Sequence, residues 1–122
     1  MHPKAFRKRL HAALLSLFRQ LQRDIEAGNV PNCGICDYIY FTNPGRYGSD
    51  LLHEEFKKLY REWPDYSGVN GYPIKLEGEG HSENVISQYL AATRENAIWS
   101  GENGEKRRQL LSWSIEQLEN AV

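Results

Sequence analysis

The chain has 122 residues, of which 25% are charged and 40% belong to the broad hydrophobic set. This length and composition are typical of one soluble domain with one core, so we expect a single domain over residues 1–122. With 15 basic and 16 acidic residues the net charge is −1, which excludes a globally basic nucleic-acid coat. The mean hydropathy is −0.65, and no run approaches the roughly 20 apolar residues that cross a bilayer, so no membrane span is expected.

An amphipathic helix is predicted from about Ala5 to Ala27. Its apolar residues recur at the three- and four-residue steps that align on one helix face: Leu10, Leu14, Leu17, Leu21 and Ile25. Pro3 suits the start of a helix, and Gly28 followed by Asn29 suits its end. Polar side chains interrupt this apolar segment too early for a secretory signal, so a cytosolic location with reduced thiols is expected.

Residues 30–48 contain one apolar segment between turn signals, Ile35 to Phe41. We predict a short helix there, because no strong strand candidate lies near enough to form a hairpin. The alternative is a strand that pairs with residues 72–76 in a small two-stranded ribbon. A second amphipathic helix is predicted to begin at Ser49 as its N-cap and to end at Pro64.

The second half of the chain combines a long irregular stretch with two further helices. Residues 64–81 hold several glycines and Pro73, and they predict a long loop. One helix should open at Ser82 and reach Thr93 or Trp99. After a turn over residues 100–104, the last helix should run over residues 105–120. The predicted fold class is therefore mainly α: a small bundle of about four helices with a long central loop.

Cys33 and Cys36 form a C-x-x-C motif, a spacing that can hold a metal ion or form a redox disulfide. A zinc site needs two further ligands, and no histidine pair shows the expected spacing. A thioredoxin-type site follows a strand, whereas this motif follows a helix and a loop. Structural cysteines are therefore favoured over a metal or redox pair, and no cofactor is predicted.

Basic residues are concentrated near the N-terminus. Every charged side chain before Asp24 is basic, and the rest of the chain is net acidic. Arg7 and Lys8 in this segment, and Arg107 and Arg108 in a second small cluster, are candidates for binding phosphate or an acidic partner. The alternative is that these residues form the solvated face of an amphipathic helix.

Aromatic residues are concentrated between positions 38 and 72. Tyr47, Tyr66 and Tyr72 fall in predicted loops beside glycine or proline. Loop tyrosines supply rigid contact area and a hydroxyl group, which suits a binding surface or a stacking platform. Packing of the loop onto the helices explains them equally well.

Several short motifs together resemble small uncharacterised proteins encoded by tailed bacteriophages. They occur in the same order over residues 34–118: Gly34-Ile35-Cys36, Trp63-Pro64, Ser67-Gly68, Tyr72-Pro73-Ile74, Trp99-Ser100-Gly101, Arg107 and Leu110-Leu111. The resemblance leaves out the first helix. It implies a phage or prophage accessory protein that is expressed in the cytoplasm of a bacterial host and binds a host or defence component. It assigns no catalytic residue.

The sequence lacks a complete catalytic set, so we expect a binding protein rather than an enzyme. The expected partner is a host or defence protein, or a nucleotide ligand. One alternative is a nucleic-acid-binding protein that uses the basic first helix, and another is a thiol or metal protein built on Cys33 and Cys36. The apolar stripe of the first helix is long enough to pair with a second copy, which makes a homo-oligomer a further expectation.

Overall fold

The computed structural model describes residues 2–43, 45–61 and 97–122. Within these ranges the chain forms four α-helices and one short 3₁₀-helix, with no strand: α1 (Pro3–Glu26), α2 (Ile35–Thr42), α3 (Ser49–Tyr60), the 3₁₀-helix (Ala97–Trp99) and α4 (Gly101–Ala121). The mainly α fold class is thus confirmed. The predicted 64–81 loop and the helix opening at Ser82 lie outside the described residues, as do Trp63 and Pro64.

Helix α1 forms the central support of the described fold. Pro3 occupies its first turn, where a missing N–H costs nothing, and the His2 ring accepts a hydrogen bond from the Lys4 backbone N–H. Gly28 follows the helix with a φ of +87°, a conformation that ends helices and favours glycine. The predicted apolar face packs against α3 and α4.

This packing buries part of the apolar stripe of α1. Leu10, Leu14 and Leu21 are buried within the chain itself. Leu17 and Ile25 of the same stripe are only partly buried, and self-association through this helix stays a prediction. Periodicity alone cannot tell whether a stripe packs against its own chain or another.

The core is one cluster that draws on every helix. The ring of Phe18 meets the ring of Phe56 edge to face at a centroid distance of 5.2 Å, which joins α1 to α3. Its buried hydrophobic residues are Leu10, Leu14, Leu15, Phe18, Leu21, Ile35, Tyr38, Ile39, Leu52, Phe56, Tyr60, Ile98, Trp99, Leu110, Leu111, Ile115 and Leu118. No helix in the described part of the chain has the length and apolar character needed to cross a membrane.

Helix α2 settles the choice left open for residues 35–41. Ile35, Tyr38 and Ile39 are buried at helical spacing, so the segment is the predicted short helix. The strand alternative, and with it a ribbon built on residues 35–41, is wrong. Residues 72–76 lie outside the described ranges.

Two predicted helix starts differ from the structure. Gly48 is the N-cap of α3, and Ser49 is its first helical residue, with its hydroxyl donating to the Asn43 carbonyl at 3.2 Å. The predicted turn over residues 100–104 is also wrong, because α4 already begins at Gly101. Gly101 takes a φ of +66° and redirects the chain into the helix within one residue.

Candidate functional site

A cleft lies between α1 and the loop that joins α2 to α3. Its volume is about 370 Å³, within the range of small-molecule sites. We call it the arginine cleft, and it is lined by Arg9, Ala12, Ala13, Ser16, Leu17, Asn43, Arg46 and Tyr47. Alanine and serine on α1 leave the space open, because a larger side chain at these positions would fill it.

The charge of the arginine cleft is positive. Arg9 contributes a guanidinium group from α1, and Arg46 contributes one from the loop; both side chains are exposed. No acidic residue is found among the described residues that line it. The Arg46 guanidinium also lies 5.8 Å from the centre of the Tyr47 ring, within cation–π range. The cleft is therefore suited to an anion, with a flat aromatic surface beside it.

Asn43 also lines this cleft. Its side-chain Nδ2 is buried and has no hydrogen-bond partner among the described residues. Its backbone is held on both sides, because the N–H donates to the Ile39 carbonyl and the carbonyl accepts from the Ser49 hydroxyl. A buried amide without an acceptor costs about 1–3 kcal/mol, so a ligand oxygen placed there would be stabilised.

A second, smaller cavity of about 190 Å³ surrounds the buried carboxylate of Glu55. Glu55 Oε2 lies 3.1 Å from His11 Nε2, and Oε1 lies 3.3 Å from Lys58 Nζ and 3.8 Å from Arg7 Nε. The positive groups here are therefore already engaged by an internal carboxylate. This cavity is better explained as an ion-pair network that joins α1 to α3 than as a ligand site.

The structure separates the residues that were predicted to bind a partner. Tyr47 lines the arginine cleft, whereas Arg7 lies in the Glu55 network. Lys8 is exposed on α1 and lines neither cavity. Tyr66 and Tyr72 lie outside the described residues.

The predicted basic cluster on the last helix requires a correction. Arg108 is at the surface and pairs with Glu105 at 2.9 Å, but Arg107 is only 2% exposed. The Arg107 guanidinium donates a hydrogen bond to the Ile98 carbonyl. It therefore stabilises the junction between the 3₁₀-helix and α4 and does not contribute to a binding surface.

The cysteines of the C-x-x-C motif have unlike surroundings. Both are thiols rather than half-cystines. The carbonyl of Cys33 accepts a hydrogen bond of 2.9 Å from the Trp99 indole, and burial raises the pKa of the Cys33 thiol to about 11. Cys36 instead places its sulfur 3.2 Å from His53 Nε2. In the described ranges no three His, Cys, Asp or Glu side chains come together in a way that could hold a metal ion.

Sequence reasoning missed the residues that define the arginine cleft. Asn43, Arg46 and Arg9 were not among the predicted binding residues. Residues 43 and 45–48 bring them together between α2 and α3, and no periodic pattern in the sequence encodes this arrangement. The pairing of Cys36 with His53 was missed for a similar reason, since it needs α2 and α3 to pack side by side.

Comparison with known proteins gives no match. No family model matches the sequence, and neither the curated proteins nor the solved structures contain a match. The resemblance to phage proteins therefore stays a prediction.

Proposed function

We propose that the protein is a non-enzymatic phage or prophage accessory protein that binds a nucleotide-like ligand, a planar ring that carries phosphate, in the arginine cleft. The observation that carries this proposal is the buried Asn43 amide, which lacks an acceptor among the described residues and lines a cleft with two exposed guanidinium groups. The resemblance to phage proteins supports the accessory role. In that role, the nucleotide-like ligand would belong to the host or defence component that the protein engages.

The chemistry of the cleft divides naturally between the two halves of such a ligand. Guanidinium groups bind phosphate oxygens through charge-assisted and often bidentate hydrogen bonds, which is the role proposed for Arg9 and Arg46. The ring of Tyr47 offers a stacking surface for a base, a contact worth about 1–3 kcal/mol. Asn43 would donate to an oxygen of the ligand. No group in this set is a nucleophile or a metal ligand of the usual kind, which supports binding without catalysis.

Calorimetric titration with nucleoside mono-, di- and triphosphates tests this proposal. We expect saturable binding at one site. Arg46→Glu and Asn43→Asp should each weaken it at least about tenfold, equivalent to about 1.4 kcal/mol, because each places a carboxylate beside the phosphate. Ser16→Trp, which fills the cleft without removing a charge, should abolish binding.

Lys8→Glu is the matched control, because Lys8 lies on the same helix as Arg9 and has the same charge, yet does not line the cleft. It should change the affinity less than about twofold, within the range of a distant surface charge. Absence of binding by every nucleotide at millimolar concentration, or equal binding by the Ser16→Trp variant, would refute the proposal.

The nucleic-acid alternative rests on the exposed basic residues of α1 and makes a different prediction. Lys4, Lys8 and Arg9 are all exposed on this helix. If this surface bound DNA or RNA, Lys8→Glu would weaken oligonucleotide binding as much as Arg46→Glu. The affinity would also fall steeply as salt is raised.

A further inference from the structure

A second group of chemically active side chains lies where α2 packs against α3. Cys36 Sγ is 3.2 Å from His53 Nε2, and the other ring nitrogen, Nδ1, is 3.0 Å from the Tyr40 hydroxyl. The same hydroxyl lies 3.2 Å from Asp50 Oδ1. We call these four residues the Cys36–His53 cluster. It is separate from the arginine cleft, to which none of the four contributes.

The hydrogen bonds of the cluster determine which nitrogen of His53 carries the proton. The Asp50 carboxylate can only accept, so the single Tyr40 hydroxyl hydrogen is donated to it. The Tyr40 oxygen must then accept from His53 Nδ1–H. In the neutral ring this leaves a lone pair on Nε2, directed at Cys36. His53 is therefore arranged to accept the thiol proton, as a general base does.

We infer that Cys36 is a nucleophilic thiol with His53 as its base, and that it reacts with low-molecular-weight disulfides to form a stable mixed disulfide. This inference is independent of nucleotide binding. It assigns different roles to the two cysteines of the motif: Cys36 attacks, and Cys33 does not take part.

The position of Cys36 supports this assignment. It is the second residue of α2, so its sulfur lies in the first turn, where the helix dipole stabilises a thiolate. The side chain is half-buried, which leaves part of it open to a small reagent. Tyr40 beside it is exposed, so the cluster lies close to the surface.

The surroundings of His53 keep the base neutral. Burial lowers its pKa, and Lys57 lowers it further, whereas Glu54, Asp50 and Asp37 act in the opposite direction. The titratable and charged groups that face the ring are Asp50, Glu54 and Lys57 of α3 and Cys36, Asp37 and Tyr40 of α2. A ring that is mostly neutral at pH 7 can take up the thiol proton.

The reaction is a balanced thiol–disulfide exchange. His53 Nε2 takes the Cys36 proton, and the thiolate attacks one sulfur of the disulfide. A new bond forms from Cys36 Sγ to that sulfur, and the original S–S bond breaks. The leaving thiolate then takes the proton from His53 and departs as a thiol. Cys36 is oxidised, and the second half of the reagent is reduced.

Cys33 is poorly suited to displace the bound group. Burial raises its thiol pKa to about 11, so almost none of it is in the nucleophilic thiolate form at pH 7. Its backbone carbonyl is also held by the Trp99 indole. The mixed disulfide on Cys36 should therefore persist, unlike the intermediate of a dithiol oxidoreductase.

Reaction of the whole protein with oxidised glutathione at pH 7, followed by peptide mapping, tests the inference. We expect one mixed disulfide, on Cys36. Cys33→Ser should react at the same rate, and Cys36→Ser should not react on this time scale. Recovery of a Cys33–Cys36 disulfide, or modification of Cys33 first, would overturn the inference.

Variants at His53 and Tyr40 test whether Cys36 reacts because His53 activates its thiol or only because the thiol is accessible. His53→Gln should slow the reaction about tenfold at pH 7, and its rate should then rise steadily with pH as for an ordinary thiol. Tyr40→Phe removes the hydroxyl that holds the His53 proton on Nδ1, so it should slow the reaction about threefold. Because Tyr40 is exposed, this variant replaces His53→Gln as the test if His53→Gln does not fold. His11→Gln is the control at another half-buried histidine and should leave the rate unchanged. Equal rates in wild-type protein and Tyr40→Phe or His53→Gln would show that His53 is not the base.

Discussion

Gly104 offers a sharp test of how the 3₁₀-helix packs on α4. An alanine Cβ at this position would lie 2.6 Å from the Trp99 carbonyl oxygen and 3.0 Å from its Cα, with the carbonyl carbon closer still. These neighbours are backbone atoms and cannot rotate away. Trp99 is also only 2% exposed and is held by its hydrogen bond to Cys33. Gly104→Ala must therefore shift a whole segment.

Two opposing effects set the magnitude. Alanine in a helix interior is favoured over glycine by about 1 kcal/mol. Overpacking against a fixed neighbour costs about 1–3 kcal/mol, and the distances at Gly104 place it towards the upper end of that range. We therefore expect Gly104→Ala to lower the free energy of unfolding by about 1–2 kcal/mol, with a fall in Tm of about 4–8 °C.

Urea denaturation followed by circular dichroism measures this change. Glu116→Ala on the exposed side of the same helix is the control and should be neutral or slightly stabilising, since it changes helix propensity without a clash. If Gly104→Ala stabilised the protein by about 1 kcal/mol, the propensity term would be acting alone. The close approach of Trp99 to α4 would then be refuted.

Three further substitutions test the core, the buried carboxylate and the histidine base. Phe18→Ala should lower the free energy of unfolding by about 3–5 kcal/mol in urea denaturation, because Phe18 is fully buried against Phe56; a loss below about 1 kcal/mol would contradict this packing. Glu55→Gln should cost about 1–3 kcal/mol in the same assay, since it leaves Arg7 and Lys58 without their carboxylate, and a stabilised variant would show that the network is dispensable. His53 has a lowered pKa in the folded state, so the unfolded chain binds its proton more readily; the stability this gives is complete above about pH 6.5 and falls as the pH is lowered through the folded pKa. Urea denaturation at neutral and mildly acidic pH should show this fall in the free energy of unfolding, and the fall should be smaller in His53→Gln. Identical pH dependence in the two proteins would refute the prediction.

The helices could be predicted where an apolar face has one periodicity. In α1, the spacing of Leu10, Leu14 and Leu21 specifies a face that the structure buries. In α2, the same principle acts over two turns, where Ile35 and Ile39 are four residues apart and share one side. Local sequence was sufficient in both cases, because the helical period brings these residues together whatever the rest of the chain does.

Residues whose role depends on a distant backbone could not be predicted in this way. The pair Asn103-Gly104 is typical of a turn, yet Gly104 lies within α4, at a position where the Trp99 backbone leaves no room for a side chain. Arg107 belongs to a basic tripeptide that is typical of a surface, yet its charge is buried at the Ile98 carbonyl. In both cases the neighbour is the 3₁₀-helix, which packs against α4 because the chain changes direction at Gly101.

The two candidate sites also depend on contacts between residues that are distant in the sequence. Cys36 and His53 are 17 positions apart, and the sequence between them encodes a turn whose path determines whether α3 returns alongside α2. Once it does, Asn43 and Arg46 within that turn come to face the small residues of α1, and His53 comes to face Cys36. One loop conformation therefore creates both sites. A sequence pattern that gives only helix faces can identify the walls of these sites but not the contacts between them.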